Sequence, residues 1–171
     1  FAGVNSPLGF YSQFDSIADD AKCVRKIYLK GGPGTGKSTL IKNIASIASE
    51  DGYDCELFHC SSDSDSLDGV YLPQLKTAVV DATPPHNVDP VYPGLTGITW
   101  NAADYIDREK LLMHKSKILY YTEKKQAAFK RAYNYLSAAA PILNDVRETV
   151  RKRMDTRCIS IESERIIKKL F

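Results

Sequence analysis

Ten consecutive residues, Lys30-Gly31-Gly32-Pro33-Gly34-Thr35-Gly36-Lys37-Ser38-Thr39, have the types and spacing to hold a phosphate. Gly31 through Ser38 matches the pattern G-x-x-x-x-G-K-[ST]. Each position has a physical task. The glycines let the backbone curl so that successive N–H groups point inward and form an anion cradle. Lys37 sets an ammonium against the β- and γ-phosphates, and the Ser38 hydroxyl can ligate Mg²⁺. A helix starting here adds the positive end of its dipole.

Such a loop works only between a strand and a helix, and both flanks fit. Cys23 to Leu29 is a short run rich in strand formers. Thr39 to Glu50 places apolar residues at 40, 41, 44, 47 and 48, the spacing of a helix, and Gly52 sits where a helix-ending glycine belongs. Asp54 to Cys60 reads as a second strand, which makes a βαβ unit and predicts a parallel pair with the first. The polar loop Ser61 to Ser66 then belongs on the same sheet edge as the phosphate loop. Leu67 to Leu72 reads as either a short strand or a turn. Thr77-Ala78-Val79-Val80-Asp81 is a clearer strand ending in a carboxylate, which suits a group holding Mg²⁺ beside the phosphates, directly or through water.

A group to position the attacking nucleophile is harder to find. Asp81 is followed by Ala82 and Thr83, so no glutamate base stands next to it. His59, at the end of the second strand, could polarise water or touch phosphate. Asp63, Asp65 and Asp68 could hold Mg²⁺ or accept a proton, and an all-acidic loop would repel a triphosphate unless a metal or a cationic substrate lay between. His86 is expected near the same edge. His114 is expected to be exposed, and Arg131 or a neighbouring cation could stabilise transition-state charge. The aromatic residues ahead of the first strand, Phe10 and Tyr11, fit core packing better than stacking on a base.

The totals bound the alternatives. The chain has 171 residues, 43% hydrophobic and 26% charged, which fits one ordinary domain with its own core. A net charge of +2 gives no clear nucleic-acid signal, and no apolar run approaches membrane-spanning length. Four cysteines, Cys23, Cys55, Cys60 and Cys158, form no C-x-x-C pair, which points to a reducing, cytoplasmic setting without structural zinc. The chain opens on Phe1 rather than Met, as a trimmed or partial sequence would. Asn43 to Leu75 holds no Lys or Arg but several carboxylates, and the balance reverses from Arg147 to Lys169.

The expected architecture is α/β: a parallel sheet sandwiched by helices over residues 1–106, which hold the nucleotide site, and a mainly helical part over 107–171. Residues 82–106, rich in Pro and Gly, read as a long substrate-facing loop. Asp107 is an expected N-cap for a helix to about Ala140, with apolar or small residues at 111, 112, 118, 119, 122, 129, 132, 133, 136 and 139. Such a helix outreaches the sheet and should protrude as half of a helical hairpin. Pro141 would open a further helix to about Asp155, and residues 159–171 fit a helix better than a strand.

The segment Tyr28 to Thr39, with His59-Cys60-Ser61-Ser62-Asp63, Asp65 to Val70, Val79-Val80-Asp81, Pro85-His86 and Asp89-Pro90, resembles P-loop NTPases, and more closely a poorly characterised bacterial P-loop ATPase family with tandem P-loop domains. The resemblance covers most of residues 1 to about 140 and fades afterwards. It implies ATP and Mg²⁺ as cofactors, hydrolysis by an ATPase, and a second P-loop domain or a homo-oligomer as partner. Gly31, Gly32, Pro33, Gly34, Thr35, Gly36, Lys37, Ser38 and Thr39 would bind the nucleotide. Lys37, Asp81 and His59 would be catalytic, and Ser38, Asp81 and Asp63 would bind metal. Two other activities remain open: a kinase passing the γ-phosphate to a small molecule, and a non-catalytic nucleotide-dependent binding module. No Asn-Lys-x-Asp guanine-reading motif is present, which favours ATP.

Overall fold

The computed structural model describes residues 1–17, 23–95 and 97–170. The N-terminal arm is a hairpin, β1 (Gly3–Ser6) and β2 (Gly9–Ser12), followed by one helical turn, α1 (Phe14–Ile17). The main sheet has five strands: β3 (Arg25–Lys30), β4 (Glu56–His59), β5 (Leu67–Leu72), β6 (Thr77–Asp81) and β7 (Ile98–Asn101). Helix α2 (Lys37–Glu50) follows β3. A 3₁₀ turn (Ala102–Tyr105) leads into α3 (Arg108–Met113), α4 (Lys115–Arg151) and α5 (Thr156–Leu170). The fold is mixed α/β, and the long C-terminal helical part is present as expected.

The strand order is β4-β5-β6-β3-β7. Strand β3 is parallel to β6 and to β7, but β5 is antiparallel to both β6 and β4. Two expectations are therefore corrected. The sheet is mixed rather than parallel, and β3 does not pair with β4. The cause is local: only residues 73–76 join β5 to β6, too few for a crossover, so the two strands must form a hairpin. Lys76 closes that turn with φ of 45° and an N–H bond to the Pro73 carbonyl. Two antiparallel steps restore direction, so β4 still runs the same way as β3. The loop after β4 thus lies on the phosphate-loop edge, as expected, although its strand sits at the far side of the sheet.

Among the described residues, a long helix covers only one face of the sheet rather than the two expected. One face packs on α2, where Ile41, Ala45 and Ala48 meet Leu29, Leu67, Val70, Leu72 and Val79. The other face is closed by the N-terminal arm, with Phe14 and Ala2 against Tyr28, Ala78, Val80 and Ala82. Gly69 allows this close approach: a Cβ there would lie 3.1 Å from the Phe14 ring and 3.2 Å from the Val79 carbonyl. The part of the arm expected over residues 18–22 lies outside the described residues.

The 82–106 segment is not one long loop. Its end forms β7, and Leu29 of β3 stands opposite Trp100. Asp107 does cap a helix, accepting from the Lys110 N–H at 3.1 Å, but that helix stops at His114 after six residues. Helix α4 then runs 37 residues, straight through Pro141, so no new helix begins there. The proline removes one N–H from the ladder, but position 141 is exposed and water can reach the carbonyl left unpaired. Among the described residues, no helix is long and apolar enough to cross a membrane.

Candidate phosphate-binding site

The loop between β3 and α2 has the shape its glycines predict. Gly31, Gly34 and Gly36 have φ of 151°, 80° and 86°, a region closed to most side chains. Gly36 is the N-cap of α2 and carries no capping side chain, so the first helical N–H groups are left for a ligand. A Cβ on Gly31 would come within 2.7 Å of Thr35 Oγ1 and 2.8 Å of Ala102 Cβ, so the loop closes tightly on itself and on the turn after β7. Gly32, Gly34 and Gly36 face open space.

Lys37 is almost wholly buried. Its Nζ donates to the Gly31 carbonyl at 2.6 Å and the Gly32 carbonyl at 3.1 Å, and lies 3.6 Å from Asp81 Oδ2. The ammonium thus folds back onto its own loop. Asp81 reaches it because β6 lies directly beside β3, with Leu29 opposite Asp81. The other Asp81 oxygen accepts from the Thr83 N–H at 2.8 Å, which fixes the carboxylate plane. Ser38 Oγ accepts from the Leu67 N–H at 2.9 Å, tying the start of α2 to β5. A cavity of about 280 Å³ is bounded by Gly34 to Thr39, Ser66, Leu67 and Asp81. A larger groove, about 720 Å³, runs along the flank of α2 between Lys42 and Leu57, away from the loop.

The fold brings Gly31 through Thr39 together with Asp81, but it does not bring His59 or Asp63 to the cavity. His59 Nδ1 lies 2.7 Å from the Ser64 carbonyl, within its own loop. Asp63 Oδ1 accepts from the Asp65 N–H at 3.2 Å and shapes the same turn. Asp68 and His86 are both buried beneath the N-terminal arm, 3.1 Å apart, with the His86 ring between the edges of Phe10 and Phe14. His86 therefore does not face the site edge; Phe10 is half-buried against it, and Tyr11 is exposed rather than packed in the core. His114 and Arg131 are exposed. Burial pushes the Cys60 thiol above its ordinary range, with the Asp68 carboxylate adding to the shift. All four cysteines are free.

Three supports escape the sequence motif. Thr83 Oγ1 donates to the Gly31 carbonyl at 2.9 Å and accepts from the Gly31 N–H at 3.2 Å, so it staples the phosphate loop to the end of β6. Lys30 Nζ donates to the carbonyls of Ala82 and Val88 and pairs with Asp89 at 2.8 Å, holding the 82–89 segment against β3. Asn5 Nδ2 donates to Ser61 and Ser62, and its Oδ1 accepts from the Tyr133 hydroxyl at 2.9 Å. The available signal was chain position: Lys30 abuts the loop and Thr83 follows Asp81 by two residues. Nothing local marks Asn5.

Among the described residues, no group of three or more His, Cys, Asp or Glu side chains could hold a metal ion by itself. Ser38 and Asp81 could share one only with phosphate oxygens and water, the usual arrangement for Mg²⁺ on a nucleotide. Comparison with protein-family models, with curated proteins and with solved structures gives no match.

Proposed function

We propose that the chain is a P-loop NTPase that binds ATP with Mg²⁺ and hydrolyses it. The observation that carries this is the burial of Lys37 between the loop carbonyls and Asp81, on a loop of positive-φ glycines that opens α2. A buried ammonium held largely by carbonyls is poised to exchange them for phosphate oxygens, which offer charge-assisted bonds. The loop N–H groups and the α2 N-terminus would take the β- and γ-phosphates, and Ser38 and Asp81 would hold Mg²⁺. The metal supplies charge neutralisation between those phosphates. Ser38 Oγ can hold it with its second lone pair while still accepting from the Leu67 N–H, which ties the metal site to the start of β5.

A second reading is supported by the cavity lining: among the described residues Asp81 is its only carboxylate, and Thr83 is committed to Gly31. Among the described residues no second carboxylate or histidine lines that cavity to act as a base for water, which favours a kinase whose acceptor brings its own nucleophile. Phosphate release from Mg·ATP, with and without a metabolite pool and with Lys37→Ala as control, separates the two. Release without acceptor supports the ATPase, and acceptor-dependent turnover supports the kinase. Tight binding without turnover leaves a nucleotide-dependent binding module. Absence of nucleotide binding removes all three.

A further inference from the structure

Helix α4 is 37 residues long, a rod of about 55 Å, yet only Phe129, Tyr133 and Ala140 are even half-buried. That one stretch rests on β1, where Tyr133 meets Asn5. Beyond it the helix projects with large apolar residues in the open: Leu136 is 38% exposed, Leu143 49%, Val146 55% and Val150 52%. Their spacing is not random. Ala132, Leu136, Ala139, Leu143, Val146 and Val150 alternate by four and three residues, the repeat of a coiled-coil seam. Pro141 falls opposite that seam, so its ring does not obstruct a neighbouring helix.

We propose that a second copy of this chain covers this face, the two α4 helices packing antiparallel about Pro141. In that register Ala132 meets Val150 of the partner subunit, Leu136 meets the partner's Val146, and Ala139 meets the partner's Leu143. Each layer joins the two kinds of seam position, and two of the three set an alanine against a larger side chain, as interdigitated packing requires. Charge selects both the occupant and the direction. Residues 107–171 carry sixteen Lys and Arg against eight Asp and Glu, a net of +8, which leaves −6 on residues 1–106. Parallel pairing would set two negative bodies side by side. Antiparallel pairing lays the basic tip of each arm, Arg147 to Arg157, along residues 125–135 of the facing α4, past Lys130 and Arg131 of the partner subunit, and beside the partner's body. There Tyr133 and Asn5 adjoin the Ser61–Ser66 loop, with Asp63 and Asp65.

The test is sedimentation velocity on the 171-residue chain across a wide range of concentration. A reversible dimer is expected, weakened by at least about 100-fold in the Leu143→Glu, Val146→Glu double variant, because each dimer would bury four unpaired carboxylates. Asn144→Glu, on the outer side of the same turn, should leave the dimer intact, and circular dichroism checks that each variant folds. Direction is read by oxidative cross-linking in a Cys158→Ser background. A disulfide should form when Ala132→Cys and Val150→Cys proteins are mixed, and not in either alone. A monomer at every concentration overturns the proposal, whether α5 then folds back over the α4 face or another partner takes it. Self-linking of Ala132→Cys, or no link in the mixture, overturns the antiparallel register.

Discussion

Replacing Lys37 with alanine should separate nucleotide binding from folding. In the free protein the Lys37 ammonium makes two carbonyl bonds and one longer approach to Asp81. On binding it would make at least two charge-assisted bonds to phosphate oxygens, each worth about 1.5–3 kcal/mol. Their loss comes to about 3–6 kcal/mol, or roughly 10²- to 10⁴-fold in affinity. The fold should lose much less. The Gly31 carbonyl keeps its bond from Thr83 Oγ1, and Asp81 keeps the Thr83 N–H and is partly solvated. A cost of about 1–2 kcal/mol, a few degrees of Tm, is expected. Calorimetric titration with Mg·ATP, run beside a thermal melt, reads both. An affinity within about threefold of the natural chain, with an unchanged melt, would refute the assignment of Lys37 and with it the phosphate site.

Asp81→Asn keeps the Thr83 N–H bond available but removes the charge, so titrations should lose most of their Mg²⁺ dependence while metal-free ATP binding holds or improves. Thr83→Val keeps the side-chain shape and deletes both bonds to Gly31. At about 0.5–1.5 kcal/mol per bond it should cost about 1–3 kcal/mol in loop order, read as faster hydrogen exchange at residues 31–36. Gly31→Ala forces a Cβ to within 2.8 Å of both Thr35 Oγ1 and Ala102 Cβ; nucleotide binding should fall steeply while the sheet persists by circular dichroism. The Lys110 N–H bond holds the Asp107 carboxyl below its usual range. A depressed folded value means the capping stability is present above the ordinary carboxylate pKa and lost as pH falls through the lowered one. The start of α3 should therefore loosen below roughly pH 4, and Asp107→Asn should flatten that dependence in amide exchange of residues 108–111.

The sequence by itself determined what short-range chemistry can encode. The positive-φ glycine turn at 31–36, its flanking strand and helix, the aspartate ending β6 and the Asp107 cap are each set by residues within a few positions, and each stands where its local pattern put it. The hairpin of β5 and β6 was also within reach, since four residues between two strand-forming runs leave no room for a crossover. Local pattern also overreached at Pro141, where exposure to water lets a helix continue that a buried setting would end. Tertiary structure alone decided the rest. Strand order depends on which buried faces match, and those matches are made between distant segments, as with Leu29 beside Asp81 and Trp100. The same holds for the candidates in the loops. His59, Asp63 and His86 lie near the loop's edge in any linear reading, but the turn at 59–66 claims the first two and the Phe10–Phe14 pocket claims the third. Thr83 and Asn5 gained their places from contacts across 52 and 56 residues of chain. Side-chain type says what a residue can do, and only the folded backbone decides what lies within 3 Å of it.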